Sequence, residues 1–312
     1  MKTAILFAGQ GSQKAGMGRD IYEAYPAFAQ AVNRAAELVD FDLKTLMFDG
    51  PETLLSQTEF TQPALAAFAA GVTAVLKENN IRADYMAGLS LGEYSALHAA
   101  GVFDRDTLIR TTAFRGRSMQ KCGQGLDTKM TAIIGLEPGT VEKICEEASY
   151  EALCSVEVSN YNAKGQIVVS GLREAVEIAE IKAKEAGAKR CMPLNVSSAF
   201  HTCFMEKASQ ELKEYFRTVR FGEMQTPVVF NVSGRPMDET EDIPALLELQ
   251  VKTGVRMMQT IEFLKQAGVE RIIEVGPGKT LSGFVRRTVS GIKTYSIDSK
   301  ADLDKVIGIF GR

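Results

Sequence analysis

A serine flanked by glycines, in the segment Gly88-Leu89-Ser90-Leu91-Gly92, is the clearest candidate for chemistry in the sequence. This G-x-S-x-G pattern is typical of a nucleophile elbow, a sharp strand-to-helix turn that exposes a serine hydroxyl. The chain has only two histidines that could activate the serine, His98 and His201. His98 follows Ser90 on the same predicted helix at about 12 Å along the axis, too far to reach the hydroxyl. The sequence therefore predicts Ser90 as nucleophile and His201 as general base, an arrangement suited to covalent acyl transfer.

Backbone N–H groups for an oxyanion are available in the same segment and in an N-terminal loop. The amide of Leu91, at the start of the predicted helix, is one donor. The loop 9–13, with the sequence GQGSQ, follows the first predicted strand, and its glycines allow a second amide to turn inward. The loop lacks the Gly-Lys-Ser/Thr ending of a Walker loop, which disfavours mononucleotide binding. Two alternatives stay open: the loop is a mere connection, and Ser90 with Glu93 forms a helix-capping box.

The composition predicts a soluble, reduced protein. The 312 residues are 45% hydrophobic, and a formal net charge of −3 provides no basic field for nucleic acid. The five cysteines show no Cys-x-x-Cys or zinc-ligand spacing, so we expect reduced thiols and no metal site. The N-terminal apolar run is too short for a signal peptide, and no run of about 18 apolar residues predicts a membrane span. We expect a cytoplasmic protein that uses no cofactor.

Alternating strand and helix patterns predict an α/β sheet covered by helices. Residues 129–194 instead predict the order βαββαβ, which is typical of a ferredoxin-like domain. We therefore predict a discontinuous α/β domain of residues 1–125 and 198–312, with an inserted small domain of residues 126–197. The site should lie in the cleft between the two. In the large domain the pattern predicts helices over 20–38, 65–78, 91–100, 202–216 and 243–250, and strands over 4–7, 85–89, 227–231, 271–275 and 294–296.

Six motifs occur in order along the chain: GQGSQ at 9–13, GLSLGEYSAL at 88–97, RGRSMQ at 115–120, NYN at 160–162, FH at 200–201 and EVGPG at 274–278. This is the order found in malonyl-CoA:acyl carrier protein transacylases, which the sequence resembles over nearly its whole length. The resemblance implies an α/β-hydrolase-like domain with an inserted ferredoxin-like domain. It also implies transfer of the malonyl group from malonyl-CoA to holo acyl carrier protein through a malonyl-serine, for fatty-acid or polyketide synthesis, with no nucleic-acid or membrane partner.

The resemblance also implies roles for single residues. Ser90 matches the nucleophile, His201 the general base, and Gln10 and Leu91 the backbone oxyanion donors. The group that orients the histidine is a main-chain carbonyl rather than a carboxylate, and its position matches Gln250.

Four further positions match residues that bind the substrate. Arg115 matches the arginine that holds the malonyl carboxylate, for which a guanidinium offers a bidentate pair. Asn160 and Asn162 match substrate-binding positions. Phe200 resembles the malonyl-selective form, in which a bulky ring leaves little room for an α-methyl branch.

The sequence departs from the family pattern in two places. Leu89 stands where the family usually has histidine, so one polar wall of the acyl pocket is replaced by an apolar one. Gly254 and Met257 stand where the family has proline and tryptophan. An acidic carrier protein or the CoA phosphates would need basic partners, for which the candidates are Lys184, Lys189, Arg190, Arg286 and Arg287.

Two other functions stay open. A serine esterase or thioesterase would use the same elbow with water as acceptor, would pair His201 with a carboxylate and would not need Arg115. A docking module would bind carrier protein without catalysis. For the transacylase we expect activity to rise with pH as His201 becomes neutral, near the usual histidine value of about 6.5 unless the site shifts it.

Overall fold

The computed structural model describes residues 1–195 and 198–311, which form two β-sheets and the helices that cover them. Ser197, the predicted end of the small domain, and Arg312 lie outside the described residues. The strands are β1 (Lys2–Phe7), β2 (Tyr85–Gly88), β3 (Thr128–Ile134), β4 (Val156–Ala163), β5 (Gln166–Leu172), β6 (Arg190–Pro193), β7 (Val228–Val229), β8 (Val269–Val275) and β9 (Lys293–Ile297).

The helices of the described chain lie between and after these strands, and a 3₁₀ turn covers Cys203–Met205. They are α1 (Arg19–Ala24), α2 (Pro26–Ala36), α3 (Leu43–Asp49), α4 (Glu52–Leu55), α5 (Thr58–Glu78), α6 (Leu91–Ala99), α7 (Arg105–Cys122), α8 (Pro138–Ala152), α9 (Arg173–Glu185), α10 (Glu206–Phe216), α11 (Ile243–Gln250), α12 (Met257–Gln266), α13 (Thr280–Thr288) and α14 (Lys300–Phe310).

The larger sheet is parallel and has the strand order β7-β2-β1-β8-β9. Its central strand β1 is apolar at consecutive positions from Ala4 to Phe7, all at most 2% exposed. Consecutive apolar residues suit a parallel strand because helices cover both faces of such a sheet. The predicted α/β architecture is confirmed.

The smaller sheet is antiparallel, has the order β4-β5-β3-β6, and carries α8 and α9 on one face. Its central strands alternate between two cores, as the period of two along a strand requires. Ile133 and Val169 pack with the two helices, whereas Met130 and Val168 join the core of the larger sheet. The predicted ferredoxin-like order βαββαβ is confirmed, and the sheet's second face closes over the larger sheet.

The two sheets are connected at the edge strand β4. Val255, in the loop before α12, forms a bridge with Asn160. The Val255 carbonyl accepts from Tyr161 N–H at 2.8 Å, and the Val255 N–H donates to the Ser159 carbonyl at 2.9 Å. These bonds fix the segment Asn160–Asn162 above the carboxyl end of the parallel sheet.

The predicted helix over 20–38 is wrong in one respect, because it is two helices. Tyr25 is extended (φ −120°, ψ 106°), and Pro26 opens α2. Proline favours an extended residue before it and suits the first position of a helix, so it divides the segment there. Likewise, the predicted strand over 227–231 is reduced to Val228–Val229, and the predicted helix over 202–216 begins with the 3₁₀ turn.

Helix α5 is longer than predicted and strongly apolar. By length and composition it could cross a membrane, but 83% of its most apolar window is buried inside the fold. Such burial is typical of the core helix of a soluble protein, and α5 packs in the main core through residues such as Leu65, Phe68 and Val72.

Candidate active site

Ser90 occupies the sharp turn between β2 and α6. Its backbone (φ 52°, ψ −104°) lies at positive φ, where a residue other than glycine costs on the order of 1–3 kcal/mol. The flanking glycines allow the turn: a Cβ at Gly88 would lie 1.9 Å from the Gly92 carbonyl carbon, and one at Gly92 would lie 2.1 Å from the Phe7 oxygen. The Ser90 side chain makes no capping hydrogen bond, so the capping-box alternative is wrong.

The structure brings His201 to the Ser90 hydroxyl. The Ser90 Oγ and His201 Nε2 atoms are 2.7 Å apart, and His201 Nδ1 is 2.8 Å from the main-chain oxygen of Gln250. Because a carbonyl only accepts, Nδ1 carries the proton and Nε2 is left to accept from the serine. His98 is held elsewhere, with its Nδ1 2.9 Å from the Phe103 carbonyl oxygen.

The electrostatic environment keeps His201 neutral. Burial, and then the charge of Arg115, lower the pKa of His201 to about 3, although the hydrogen bond to Gln250 acts in the opposite direction. The site therefore shifts the titration of His201 below the ordinary value near 6.5, because a buried imidazole loses the hydration that stabilises its charged form.

Arg115 is a fully buried cation beside the nucleophile. Its Nη2 donates to Ser90 Oγ at 3.1 Å and to Gln250 Oε1 at 3.0 Å, and its Nη1 donates to Gln62 Oε1 at 2.9 Å. The guanidinium carbon lies 5.0 Å from the centre of the Tyr94 ring. Burial lowers the pKa of Arg115, yet an arginine stays protonated in proteins, so a fixed positive charge faces the serine.

A buried carboxyl beneath the elbow organises the surrounding amides. The two oxygens of Glu93 accept from the Asn231 main-chain N–H and from Gln250 Nε2, which also donates to the Ser90 carbonyl at 2.9 Å. Burial raises the pKa of Glu93 to about 8, although these donors and the charge of Arg115 oppose the shift. Gln250 therefore orients His201 through its main chain, and Arg115 and the elbow through its side chain.

Asn231 also contacts the elbow and was not identified from the sequence. Its Oδ1 accepts from Ser90 N–H, and its Nδ2 donates to the Gly88 carbonyl, both at 2.7 Å. No motif marks this asparagine, which lies 141 residues from Ser90. A signal did exist for Gln62, the buried partner of Arg115, because it is a polar residue at the start of the apolar helix α5.

The two predicted oxyanion donors lie on either side of the serine. Leu91 is the first residue of α6, so its N–H has no acceptor within the helix. Gln10 lines the same cavity as Ser90, and its side chain donates to Thr58 Oγ1 at 3.0 Å. The loop comes this close because Gly9 has no side chain: a Cβ there would lie 2.3 Å from the Leu89 oxygen.

A cavity of about 130 Å³ opens at Ser90, between the two sheets. It continues into a larger cavity of about 490 Å³, and Gln10, Leu89, Asn162 and Leu194 line both. Within the described chain, Asn162 Oδ1 is buried without a hydrogen-bond partner. The residues around the smaller cavity are Gln10, Gln62, Leu89, Ser90, Arg115, Met119, Met130, Asn160, Asn162, Val168, Leu194, Phe200 and His201.

The cavity is formed by side chains from distant segments, and several of them carry no recognisable pattern. Met130, Val168 and Leu194 are ordinary apolar residues whose role as lining depends on how the two sheets meet. No sequence signal could have identified them. Across residues 1–195 and 198–311, no three His, Cys, Asp or Glu side chains gather in a way that could hold a metal ion.

The positions that depart from the family pattern are well packed. Leu89 presents an apolar side chain to both cavities. A Cβ at Gly254 would lie 2.6 Å from the Val158 oxygen, so the close approach of this loop to β4 needs glycine. Met257 is fully buried in the core behind the parallel sheet.

The five basic candidates lie in two places. Arg286 and Arg287 are exposed on the last turn of α13, and Arg287 donates to Gln166, which lines the larger cavity. Lys189 directly precedes β6, Arg190 is the first residue of that strand, and Lys184 is exposed on α9, the helix on the outer face of the small sheet. Of the five, Arg287 has the most direct connection to the cavity mouth.

Comparison with known proteins gives consistent matches over the whole chain. The sequence profile described as acyl transferase domain matches residues 5–306. The malonyl CoA-acyl carrier protein transacylase of Bacillus subtilis is 38% identical over 306 residues, which is 98% of this chain and 96% of that protein. The crystal structure of an acyl carrier protein S-malonyltransferase from Vibrio cholerae is 38% identical, with a TM-score of 0.92 over 98% of this chain and 100% of that chain. A malonyl-transacylase solved in complex with its type II polyketide synthase acyl-carrier protein is 37% identical, with a TM-score of 0.95 over 99% and 100% of the two chains.

Proposed function

Because the chain belongs to the acyl transferase domain family, we propose that it moves a malonyl group from malonyl-CoA to the phosphopantetheine thiol of acyl carrier protein. The observation that carries this proposal is the buried guanidinium of Arg115, 3.1 Å from the Ser90 hydroxyl oxygen. A buried cation is energetically costly unless a negative charge pairs with it. The buried Arg115 beside the nucleophile therefore favours an acyl group whose own carboxylate can pair with the guanidinium.

In the first half-reaction, the Ser90 oxygen attacks the thioester carbonyl while His201 Nε2 takes the hydroxyl proton. The amides of Gln10 and Leu91 stabilise the oxyanion. When the intermediate collapses, the C–S bond breaks, and the CoA sulfur leaves with the proton from His201. The malonyl group is then an ester of Ser90.

In the second half-reaction, the phosphopantetheine thiol gives its proton to His201 and attacks the ester carbonyl. The C–O bond to Ser90 breaks, and the serine oxygen recovers the proton from the imidazolium. The two half-reactions share one site, so the kinetics are ping-pong.

Arg115 also connects substrate charge to the strength of the base. Its positive charge is one of the two causes that lower the pKa of His201. A malonyl carboxylate paired with Arg115 would offset that charge and make the imidazole more basic, whereas an acetyl group would not. The proposed site therefore favours malonyl both by binding and by activating His201.

The remaining lining residues are proposed to set acyl selectivity. The buried Asn162 Oδ1, which has no hydrogen-bond partner among residues 1–195 and 198–311, can accept from a ligand, and Asn160 faces the same cavity. The ring of Phe200, 6% exposed, limits the space for an α-methyl branch, so methylmalonyl should be the poorer substrate. Leu89 adds an apolar wall in place of the family's histidine.

The hydrolase alternative is not favoured. It predicted a carboxylate partner for His201, but Nδ1 faces the Gln250 carbonyl. It also has no use for the buried charge of Arg115. A docking module without catalysis would not need the 2.7 Å contact between Ser90 and His201.

We further propose the division of the chain into a catalytic domain of residues 1–125 and 198–312 and a small domain of residues 126–197. All strands of the antiparallel sheet lie between Thr128 and Pro193, and all strands of the parallel sheet lie outside this range. The carrier protein would approach the mouth of the larger cavity, near Arg286 and Arg287. We place the enzyme in the cytoplasm, where it would supply malonyl units for fatty-acid or polyketide synthesis.

The test is intact-protein mass spectrometry after brief exposure to malonyl-CoA, with acetyl-CoA as the comparison donor and holo acyl carrier protein added second. We expect a malonyl adduct on the wild-type protein, none on Ser90→Ala, and discharge of the adduct onto the carrier. An adduct lost only to water would overturn the transacylase proposal in favour of the thioesterase. No adduct from either donor would favour the docking module.

A further inference from the structure

The nucleophile elbow is held from behind by one side chain, Asn231. Its carboxamide spans Leu89, because it donates to the carbonyl before that residue and accepts from the N–H after it. These are the Gly88 carbonyl and the Ser90 amide, each 2.7 Å from the Asn231 side chain. The two bonds fix the orientation of both peptide groups between which the chain turns.

The main chain of Asn231 is itself fixed on both sides. Its N–H donates to Glu93, in the first turn of α6, and its carbonyl accepts from Arg256 N–H at 2.9 Å. The residue is 1% exposed, so water does not compete for its bonds. The carboxamide is therefore a rigid clamp rather than a mobile surface group.

These hydrogen bonds hold Ser90 in a backbone conformation that it would not otherwise adopt. The positive φ of this serine is an unfavourable conformation that persists only where the surroundings hold it. Relaxation of the turn would move the Ser90 oxygen relative to His201 Nε2 and would also redirect the Leu91 amide. A displacement of about 1 Å at a reacting atom is enough to cost about 100-fold in rate.

We propose that Asn231 is a positioning residue, whose carboxamide holds the backbone of Ser90 in its reactive conformation without touching the substrate. The inference rests on the proposed function, because its consequence is the rate of malonyl-serine formation. The Asn231 carboxamide bonds the backbone of the elbow and is not itself among the residues that line the cavity, so its effect should be the same for charged and uncharged acyl donors.

The test compares the rates of Ser90 acylation by malonyl-CoA and by acetyl-CoA, measured by quenched-flow intact mass spectrometry. Asn231→Leu keeps the approximate size of the side chain and removes both hydrogen bonds. We expect acylation to slow about 100-fold with both donors, so that the ratio of the two rates is unchanged. The matched control is Ser149→Ala, which removes a comparable pair of bonds, to the N–H and carbonyl of Val156, from the small sheet. We expect wild-type acylation rates for the control.

Asn231→Asp tests the hydrogen bonds themselves. A protonated carboxyl can accept from Ser90 and donate to Gly88, as the amide does, whereas a carboxylate can only accept. Burial and the neighbouring Glu93 raise the pKa of a carboxyl at this position, while Arg115 and Arg256 act against the shift. We expect acylation near the wild-type rate at pH 5.5 and at least about tenfold slower at pH 8, as the carboxyl ionises.

The outcomes separate this inference from the proposed function. Wild-type rates in Asn231→Leu, or an equal deficit of Asn231→Asp at both pH values, would overturn the positioning role while the transacylase proposal stands. Should Asn231→Leu fail to fold, the pH dependence of Asn231→Asp decides the question. Absence of an adduct on the wild-type protein would overturn the proposed function and the inference together.

Discussion

At the scale of single residues, the site is a set of polar groups whose partners are fixed before any substrate enters. The neutral His201, the charged Arg115 and the main chain of Ser90 are linked through Gln250. Its main-chain carbonyl faces His201, and its side chain bonds Arg115 and the Ser90 carbonyl. The Nδ1 atom of His201 faces the Gln250 carbonyl oxygen rather than a carboxylate. The acyl donor would provide the only carboxylate that faces the arginine within the described cavity lining.

Arg115→Ala should change acyl preference more than any other single substitution in the cavity. Loss of a buried charge partner costs about 3 kcal/mol, so malonyl transfer should fall about 100-fold while acetyl transfer is retained or increased. The measurement is the ratio of acylation rates from malonyl-CoA and acetyl-CoA. Arg117→Ala is the control, because Arg117 is exposed on the same helix and pairs with the exposed Asp40 at 3.8 Å. An unchanged ratio in Arg115→Ala would show that another cation holds the carboxylate.

The rate of Ser90 acylation should not follow an ionisation near pH 6.5. The pKa of His201 is lowered to about 3, so the base is already neutral throughout the range from pH 5 to pH 7.5. We expect the acylation rate to be flat across that range in quenched-flow measurements. His98→Asn should show the same profile, because the His98 ring is held at the Phe103 carbonyl oxygen and not at Ser90. A sigmoidal rise centred near pH 6.5 in both proteins would contradict the buried, neutral base.

The residues of the site differ in how far the sequence could reveal them. Ser90 and Gly92 belong to a local pattern, and His201 was accessible by elimination because the chain has only two histidines. The roles of Arg115 and Gln250 came only from the resemblance to a family. Asn231 could not be found in either way, because its contacts depend on how β7 pairs with β2 rather than on its neighbours in sequence.

At the scale of elements, the site depends on the close approach of β1, the elbow and α6. Gly92 faces the end of β1, and Gly9 faces Leu89, so two glycines allow three backbone segments to pack side by side. Period and composition predicted these elements because each carries a local signal. Division of the segment 20–38 at Pro26 also had such a signal, the proline itself. The length of β7 had none, because it is set by its neighbour in the sheet.

Gly92→Ala should destabilise the protein strongly, although alanine is the better helix former. The new Cβ would meet the Phe7 carbonyl oxygen at 2.1 Å, and backbone cannot move aside, so we expect a loss of about 3 kcal/mol or more. Gly308→Ala is the matched control in a helix, because a Cβ there meets nothing within 4 Å. We expect the control to gain about 0.5–1 kcal/mol. Urea unfolding of both variants checks the prediction, and equal effects would contradict it.

At the scale of the whole molecule, two sheets of different type share one core and enclose the cavity between them. The face of the small sheet with Met130 and Val168 completes the core of the larger sheet. Burial shifts the pKa of His98, His201 and Glu93 towards the neutral form of each. The pKa is lowered to about 4 for His98 and to about 3 for His201, and raised to about 8 for Glu93.

These shifts predict a stability maximum near pH 6.5. Below pH 6.5 both histidines bind protons in the unfolded chain and not in the folded chain. Each histidine therefore lowers the free energy of unfolding by up to about 1.4 kcal/mol for every pH unit below 6.5. Glu93 acts with the opposite sign between pH 4.5 and pH 8, where the folded chain holds the proton. Between pH 4.5 and pH 8, the free energy of unfolding should therefore fall by about 1.4 kcal/mol per pH unit on either side of pH 6.5.

Chemical denaturation of wild type and His98→Asn from pH 4.5 to pH 8 measures the histidine contribution directly. The difference between their free energies of unfolding should be constant above pH 6.5 and shift in favour of the variant as the pH falls towards 4.5. A difference that does not change with pH would contradict a neutral, buried His98.

The burial of both histidines also affects the electrostatic field that a charged partner of the enzyme would meet. Histidine is the side chain that ordinarily buffers protein charge between pH 5 and pH 8, and here neither copy takes up a proton in that interval. The long-range field around the cavity mouth is then set by arginine, lysine and surface carboxylates. Electrostatic steering of an acidic partner should weaken as ionic strength rises, because salt screens the charges. It should change little when the solution becomes modestly more acidic.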